Sequence, residues 1–183
     1  MNSYTSREGL ELALEIIKQS PKQEGSVKLI VCRPSVDQRK VLEVGELSLE
    51  EGLLGDNWKQ RELTRSKNGM VKVDNQLNLM NSRVIEAITT DKEQWQLAGD
   101  QFYVDFDLSY ENTPPGAQLL IGNAIIEVTE EPHLGCKKFA DRFGMDAVKF
   151  VNSEQGKQLN LRGINAKIIK PGLVKVGSII KKI

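Results

Sequence analysis

The 183-residue chain carries 25 basic and 25 acidic residues and is 39% hydrophobic. That length suits one domain, whose core buries roughly 70% of the unfolded chain's surface without disulfides or structural metal. Zero net charge excludes broad electrostatic capture of nucleic acid or of an anionic membrane, and no apolar run reaches the roughly 18 to 20 residues that span a bilayer.

At the N-terminus, Thr5-Ser6-Arg7-Glu8 has capping-box spacing, with Glu8 three residues after Thr5. Leu10, Ala13, Leu14 and Ile17 then recur at helical intervals, and Ser20-Pro21 ends the segment. Glu11 and Glu15 interrupt its apolar face, which a secretory signal would not tolerate. From Val27 the pattern turns to strands. Val27 to Cys32 reads as a buried strand ending at Pro34, and Lys40 to Leu47 alternates as a half-buried one. Leu49 to Arg65 reads as loop. Asn75 to Ile88 begins polar and becomes a helix around Met80, Val84, Ile85 and Ile88.

Phe102, Val104, Phe106 and Leu108 alternate with Tyr103, Asp105 and Asp107 as a strand with one buried face. After Pro114-Pro115-Gly116, Leu119 to Val128 forms a hairpin about Gly122-Asn123. A helical region opens at Cys136, continues through Phe139 and Phe143, breaks at Gly144 and resumes at Ala147, Val148 and Val151. Leu161 to Ile169, a Pro171-Gly172 turn and Val174 to Ile180 suggest a second hairpin. The expected class is mainly β with peripheral helices, α+β, closer to a barrel than to a doubly wound sheet.

Most familiar machinery is missing. There is no GxGxxG opening a helix, no GxxxxGK[ST], no CxxC and no HExxH. A single histidine, His133, excludes a His-rich metal site, and no GxSxG precedes it. Two cysteines make no disulfide framework, so a reduced, cytoplasmic setting is expected.

One segment concentrates reactive groups: Glu130-Glu131-Pro132-His133-Leu134-Gly135-Cys136-Lys137-Lys138-Phe139. A helix beginning after Gly135 puts Cys136 near its N-terminus. The dipole there favours a thiolate, and Lys137, Lys138 and Arg142 add positive potential. His133 is a proton partner if the loop turns back. Such a thiolate attacks an electrophile, carries a persulfide or ligates a soft metal. The alternative is an inert buried thiol, the preferred reading for Cys32 inside its strand. Elsewhere, Gly55-Asp56-Asn57-Trp58 with Arg61, and Glu111-Asn112 at a strand end, occupy positions where a barrel presents ligand-contacting groups. Asp56 and Asn112 are also ordinary turn residues. Arg61, Arg65 and Arg162 either clamp a phosphate or are solvated surface groups.

The chain resembles the MOSC family, named for the C-terminal domain of molybdenum cofactor sulfurases, in four ordered stretches. These are Gly52-Leu53-Leu54-Gly55-Asp56, the Asn75 to Met80 run with its following helix, Asp107-Leu108-Ser109-Tyr110-Glu111-Asn112, and Pro132-His133-Leu134-Gly135-Cys136. Leu161-Arg162-Gly163-Ile164 through Pro171-Gly172 and Val176-Gly177 extend the likeness. It departs from the family at Asn57-Trp58, where a basic residue and a histidine are frequent, and at the residues just before Cys136.

The resemblance implies a MOSC-type β-barrel over residues 27–183, preceded by an N-terminal helix and extension over residues 1–26. It implies that Cys136 binds sulfur as a persulfide or ligates molybdenum, with His133 tuning the thiol. Asp56, Arg61, Asn112, Lys137 and Arg162 would hold a molybdenum–pterin cofactor. Partners would be that cofactor, a molybdoenzyme or a sulfur-donor protein. Pyridoxal phosphate is not expected, because the aminotransferase-like domain of the sulfurases has no counterpart in this sequence. The alternatives are a molybdenum-dependent oxidoreductase of N-hydroxylated compounds served by an external electron donor, and a non-catalytic partner-binding module.

Overall fold

The computed structural model describes residues 4–183; the first three residues of the expected N-terminal extension lie outside them. Helix α1 (Arg7–Lys18) starts one residue later than the capping-box spacing suggests. Ser6, not Thr5, is the cap, its hydroxyl accepting from the Gly9 N–H at 3.4 Å. Leu10 and Ile17 are buried beneath it.

The strands are β1 (Glu24–Cys32), β2 (Lys40–Leu42), β3 (Val44–Ser48), β4 (Gly52–Leu53), β5 (Leu77–Asn81), β6 (Phe102–Asp105), β7 (Gln118–Ile121), β8 (Ala124–Val128), β9 (Ile164–Lys170), β10 (Gly172–Lys175) and β11 (Ile179–Lys182). Seven of them close into a barrel in the order β11-β7-β8-β9-β5-β6-β1, with β1 pairing back to β11. Strand β2 extends the wall from β1, and β10-β3-β4 form a separate three-stranded sheet. All barrel pairings are antiparallel except β5–β6. A parallel neighbour needs a crossover, supplied by α3 (Ser82–Ile88) and the 3-10 turns of Lys92–Ala98. The class is the expected α+β barrel, consistent with the MOSC type.

Two apolar clusters share the wall. Ile30, Leu79, Phe102, Val104, Phe106 and Ile126 fill the barrel, while Leu10, Ile17, Met80, Ile85, Tyr103 and Phe143 pack helices against its outside. Strands β5 and β6 are therefore buried on both faces. This explains two differences from the sequence pattern. Met80, assigned to a helix, belongs to β5, where every residue is buried and no alternation survives. Tyr103, expected on an exposed face, is buried under the helices.

Three further differences have local causes. The expected strand from Lys40 to Leu47 breaks at Glu43, where the chain leaves β1 for the smaller sheet. The expected loop from Leu49 to Arg65 contains β4 and a helix, α2 (Trp58–Arg65). That helix buries only Trp58 and Glu62, too little for an apolar stripe to reveal it. The expected C-terminal hairpin does not form: β9 pairs with β8 and β5, β10 with β3, and β11 with β7 and β1. Pro171-Gly172 turns a corner between sheets. A Cβ on Gly172 would stand 2.4 Å from Asn123 Oδ1, so only glycine permits that approach. The Gly122-Asn123 hairpin is as expected, with Gly122 at φ +59.

Between β8 and β9 lie α4 (Lys137–Phe143), α5 (Met145–Val151) and the short α6 (Glu154–Gln158). Gly144, at φ +87, separates the first two as the sequence suggests. No helix among the described residues is long and apolar enough to cross a membrane.

Candidate functional site

The site is a cleft of about 790 Å³ beside the barrel, reached by the β1–β2 loop, α2, the loop before α4, and α4 itself. Arg33, Arg39, Arg61, Arg65, Arg142 and Arg162 line it with Lys138, against Asp37 and Glu131. A neutral protein thus concentrates cations in one concavity. A larger cleft, about 920 Å³, lies among α1, α6 and the 107–111 loop, with Lys18, Lys22 and Lys157 facing Asp107 and Glu111. It contains neither cysteine, and its charges are mixed, so the chemistry is assigned to the smaller one.

Two buried carboxylates build the basic wall. Asp56 accepts from Arg33 Nε and Nη2 at 2.8 and 2.9 Å, from the Arg33 backbone N–H at 2.8 Å and from the Trp58 N–H at 2.9 Å. It therefore starts α2 and pins Arg33 in the same act. Arg33 Nη1 continues to Asn78 Oδ1 (3.0 Å) and the Gly99 carbonyl (2.9 Å). Asn78 Nδ2 donates to Asn165 Oδ1 (2.5 Å), and Asn165 Nδ2 donates to the Glu131 carbonyl (2.9 Å). A polar chain thus runs from α2 through β5 and β9 to the loop bearing His133.

Asp100, fully buried, is the second carboxylate. It faces His133 Nε2 at 2.7 Å and accepts from Arg162 Nη1 at 2.6 Å. Burial alone would raise its pKa, but Arg162 and His133 carry it below the usual carboxylate value. His133 is held below its ordinary value by burial first and Arg162 second, against the pull of Asp100. At neutral pH the ring is uncharged, so Nε2 donates to Asp100 and Nδ1 is left as the basic nitrogen. Arg162 also lies over the Phe139 ring, its guanidinium carbon 4.8 Å from the centroid.

Gly163 makes this packing possible. It has φ +112, and a Cβ there would stand 2.2 Å from the Leu79 carbonyl oxygen and 3.2 Å from His133 Cδ2. Gly163→Ala is expected to lower stability by about 2 kcal/mol through backbone overlap and left-handed strain. Urea unfolding measures this, and a change under about half a kcal/mol would show that the overlap relaxes freely.

Cys136 is exposed, lines the cleft and precedes α4 as its cap residue. Asn152, after α5, clamps the preceding residue from both sides: its Oδ1 accepts from the Gly135 N–H and its Nδ2 donates to the Gly135 carbonyl, each at 2.8 Å. The backbone approach to the thiol is therefore fixed while the thiol remains open. Cys32 is buried among the barrel residues, and burial, then the nearby Asp56 carboxylate, push its thiol above the usual range.

Four polar atoms are buried without any partner among the described residues: Nε of Arg39, Arg61 and Arg162, and Oδ1 of Asn57. All four belong to residues lining this cleft. Burial, and then Arg33, lower Arg61 to about 10 against the partial support of Asp56. Arg39 and Arg61 have no carboxylate partner among the described residues, and crowded, desolvated guanidiniums of this kind are the complement of an anion.

The structure brings His133, Cys136, Arg61 and Arg162 together at the cleft. It places Asp56 behind the wall as the anchor of Arg33. Lys137 points to Asp141 at 2.9 Å on the outer surface of α4. Asn112 is buried elsewhere, donating to the Lys22 and Asp107 carbonyls at 3.0 and 2.8 Å and accepting from Lys182 Nζ at 3.1 Å. Sequence reading named Asn57 only as a member of the Gly55–Trp58 cluster and did not single out Arg33, Arg39 or Asp100. For Arg33 the signal was its position directly after a buried strand and before Pro34; Arg39 and Asp100 carry none.

No family model matches the chain, and no curated protein matches its sequence. Solved structures do. YiiM from Escherichia coli aligns over 86% of this chain and 69% of its own, at 19% identity and a TM-score of 0.54. YuaD from Bacillus subtilis aligns over 86% and 94%, at 12% identity and a TM-score of 0.54. YiiM from Geobacillus stearothermophilus aligns over 90% and 74%, at 11% identity and a TM-score of 0.52. At such identities the likeness concerns the fold alone, and that fold is the closed mixed barrel consistent with the MOSC type.

Proposed function

We propose that the cleft binds a molybdenum–pterin cofactor by its phosphate, in the cytoplasm, and that Cys136 is the reactive atom, either as a ligand to the metal or as a carrier of sulfur to it. The carrying observation is the set of buried atoms on Arg61, Arg162 and Asn57 that have no partner among the described residues, beside an exposed thiol. These residues fit the group. The guanidinium N–H groups match phosphate oxygens, and Asn57 Oδ1 offers an acceptor to a pterin N–H. The described residues contain no cluster of three His, Cys, Asp or Glu side chains able to hold a metal. A metal here would therefore bring most of its ligands with it, and Cys136 would add one soft donor.

When bound, the cofactor supplies the redox chemistry of molybdenum. The chain's own residues do the rest. Arg61 and Arg162 bind negative charge, Asp100 holds Arg162 in place, Asp56 holds the neighbouring Arg33, and His133 Nδ1 is the basic nitrogen that would take a proton within the same cleft. As a sulfur carrier, Cys136 would attack the outer sulfur of a donor protein's persulfide. The donor's thiolate would leave, and the S–S bond would re-form on Cys136.

The test is the molybdenum, pterin and cyanide-labile sulfur per protomer, for protein expressed in cells that make the cofactor. The wild type is expected to retain pterin. Arg61→Gln should weaken retention about tenfold, the effect of one lost charge-assisted contact. Cys136→Ala should lose the metal or the labile sulfur while changing stability by less than about 0.5 kcal/mol, since the thiol is exposed. A wild type without pterin and without labile sulfur on Cys136 would overturn the reading.

A further inference from the structure

The cations of the cleft fall into two groups by the elements that bear them, and Arg33 acts on a member of each. On one side stand Arg61 and Arg65 of α2, with Asn57 before it; the charges that act on Arg61 are those of Arg33, Asp56, Arg65 and Glu62. On the other side stand Arg39 from the β1–β2 loop and Arg142 and Lys138 from α4. The cations acting most strongly on Arg39 are Arg142 and Arg33. Arg39 and Arg142 converge over Gly99: a Cβ built there would lie 3.6 Å from Arg39 Nη2 and 4.0 Å from Arg142 Nη1. Arg142 is held in place by the Leu97 carbonyl, which accepts from Nη1 at 2.7 Å. Arg39 Nε is buried with no partner among the described residues.

One carboxylate already answers this second group. Asp37 lies 3.3 Å from Arg142 Nη2 and 3.7 Å from Lys138 Nζ. Its side chain is 67% exposed, it belongs to the β1–β2 loop between exposed Val36 and Gln38, and its backbone is left-handed at φ +60. An exposed, long-distance pair made by a residue in a left-handed conformation is weak. An anion with two or three oxygens makes more contacts to the same groups, and does so without backbone strain.

We propose that Arg39, Arg142 and Lys138 form a second anion subsite, which holds a phosphate or carboxylate group of the substrate that meets Cys136, and that Asp37 is its built-in competitor. The substrate role rests on the reading of the cleft as a cofactor site, with the first group taking the cofactor. The substrate class is therefore a small anionic molecule, a phosphate monoester or a carboxylate, whose charged end is fixed on this side while its reactive end faces the thiol. Binding would require the Asp37 side chain to swing out, so the β1–β2 loop would register occupancy.

The experiment is a titration of the isotopically labelled protein with inorganic phosphate, following the arginine Nε–Hε cross-peaks. Two separable events are expected, one reported by Arg61 and one by Arg39. Arg39→Gln and Arg142→Gln should weaken the second about tenfold and leave the first unchanged. Asp37→Asn should tighten the second about threefold, because it removes the competing charge. In protein purified with pterin bound, Arg61 should no longer respond and Arg39 should still do so. Two events in protein that never retains pterin would support the subsite while removing the cofactor reading. A single event, an Asp37→Asn variant that binds phosphate no better, or pterin that silences both arginines would overturn the subsite.

Discussion

Asp56→Ala is expected to lower stability by about 3–5 kcal/mol, although the residue makes no direct contact with the cleft. The carboxylate is fully buried and Arg33 is 6% exposed, so the pair has almost no solvent to fall back on. Removing the carboxylate leaves a buried guanidinium without its counter-ion, which is the costly way to break such a pair. It also removes the acceptor for the Trp58 N–H at the start of α2. Arg33 would lose its bidentate hold, and with it the hydrogen-bond path through Asn78 and Asn165 to the His133 loop. Urea unfolding should show the midpoint falling by roughly 2 M for a domain of this size. A loss of less than about 1 kcal/mol would mean that water or Asn78 satisfies Arg33 once Asp56 is gone.

The second large effect is at Asp100. Asp100→Ala strands Arg162 and leaves His133 Nε2 without its acceptor, and a loss of about 3–5 kcal/mol is again expected. The same trio makes stability depend on pH. The unfolded chain takes up a proton at His133 near the ordinary value of 6.5, and the folded chain does so only at lower pH. The unfolded state therefore binds more protons as pH falls below 6.5, and stability declines there by at most about 1.4 kcal/mol per pH unit. Asp100 adds a second loss below the usual 3.8, because its folded value is depressed. His133→Gln, which keeps an N–H donor for Asp100, should flatten the slope between pH 6.5 and 5 and leave the lower one. An unchanged slope would mean that His133 charges freely in the folded protein.

Strand-forming runs, the Gly122-Asn123 turn and the Gly144 break were legible in the sequence because each is a local property: alternation, turn chemistry or a left-handed glycine. So was the contrast between the two cysteines, since Cys32 continues an apolar strand and Cys136 follows a Pro- and Gly-bearing loop. Helix α2 was hidden because its buried face consists of one tryptophan and a paired glutamate. Strand β5 was hidden because burial on both faces erases the two-residue period. Which strands pair was not local either: β9, β10 and β11 follow one another in the chain yet join different partners.

The cleft followed the same division. The sequence by itself determined that two thiols, one histidine and several arginines exist, and that the protein as a whole is neutral. Only the tertiary structure decided which arginines lose their counter-ions. Asp56 and Asp100 are buried beneath Arg33 and Arg162, Lys137 turns outward to Asp141, and Asn112 is enclosed elsewhere, whereas Arg39 and Arg61 line the cleft without a carboxylate partner among the described residues. Charge balance along a chain is a sum over residues. The field in a cleft depends on which of those residues fold to the same place and which of them are screened from water.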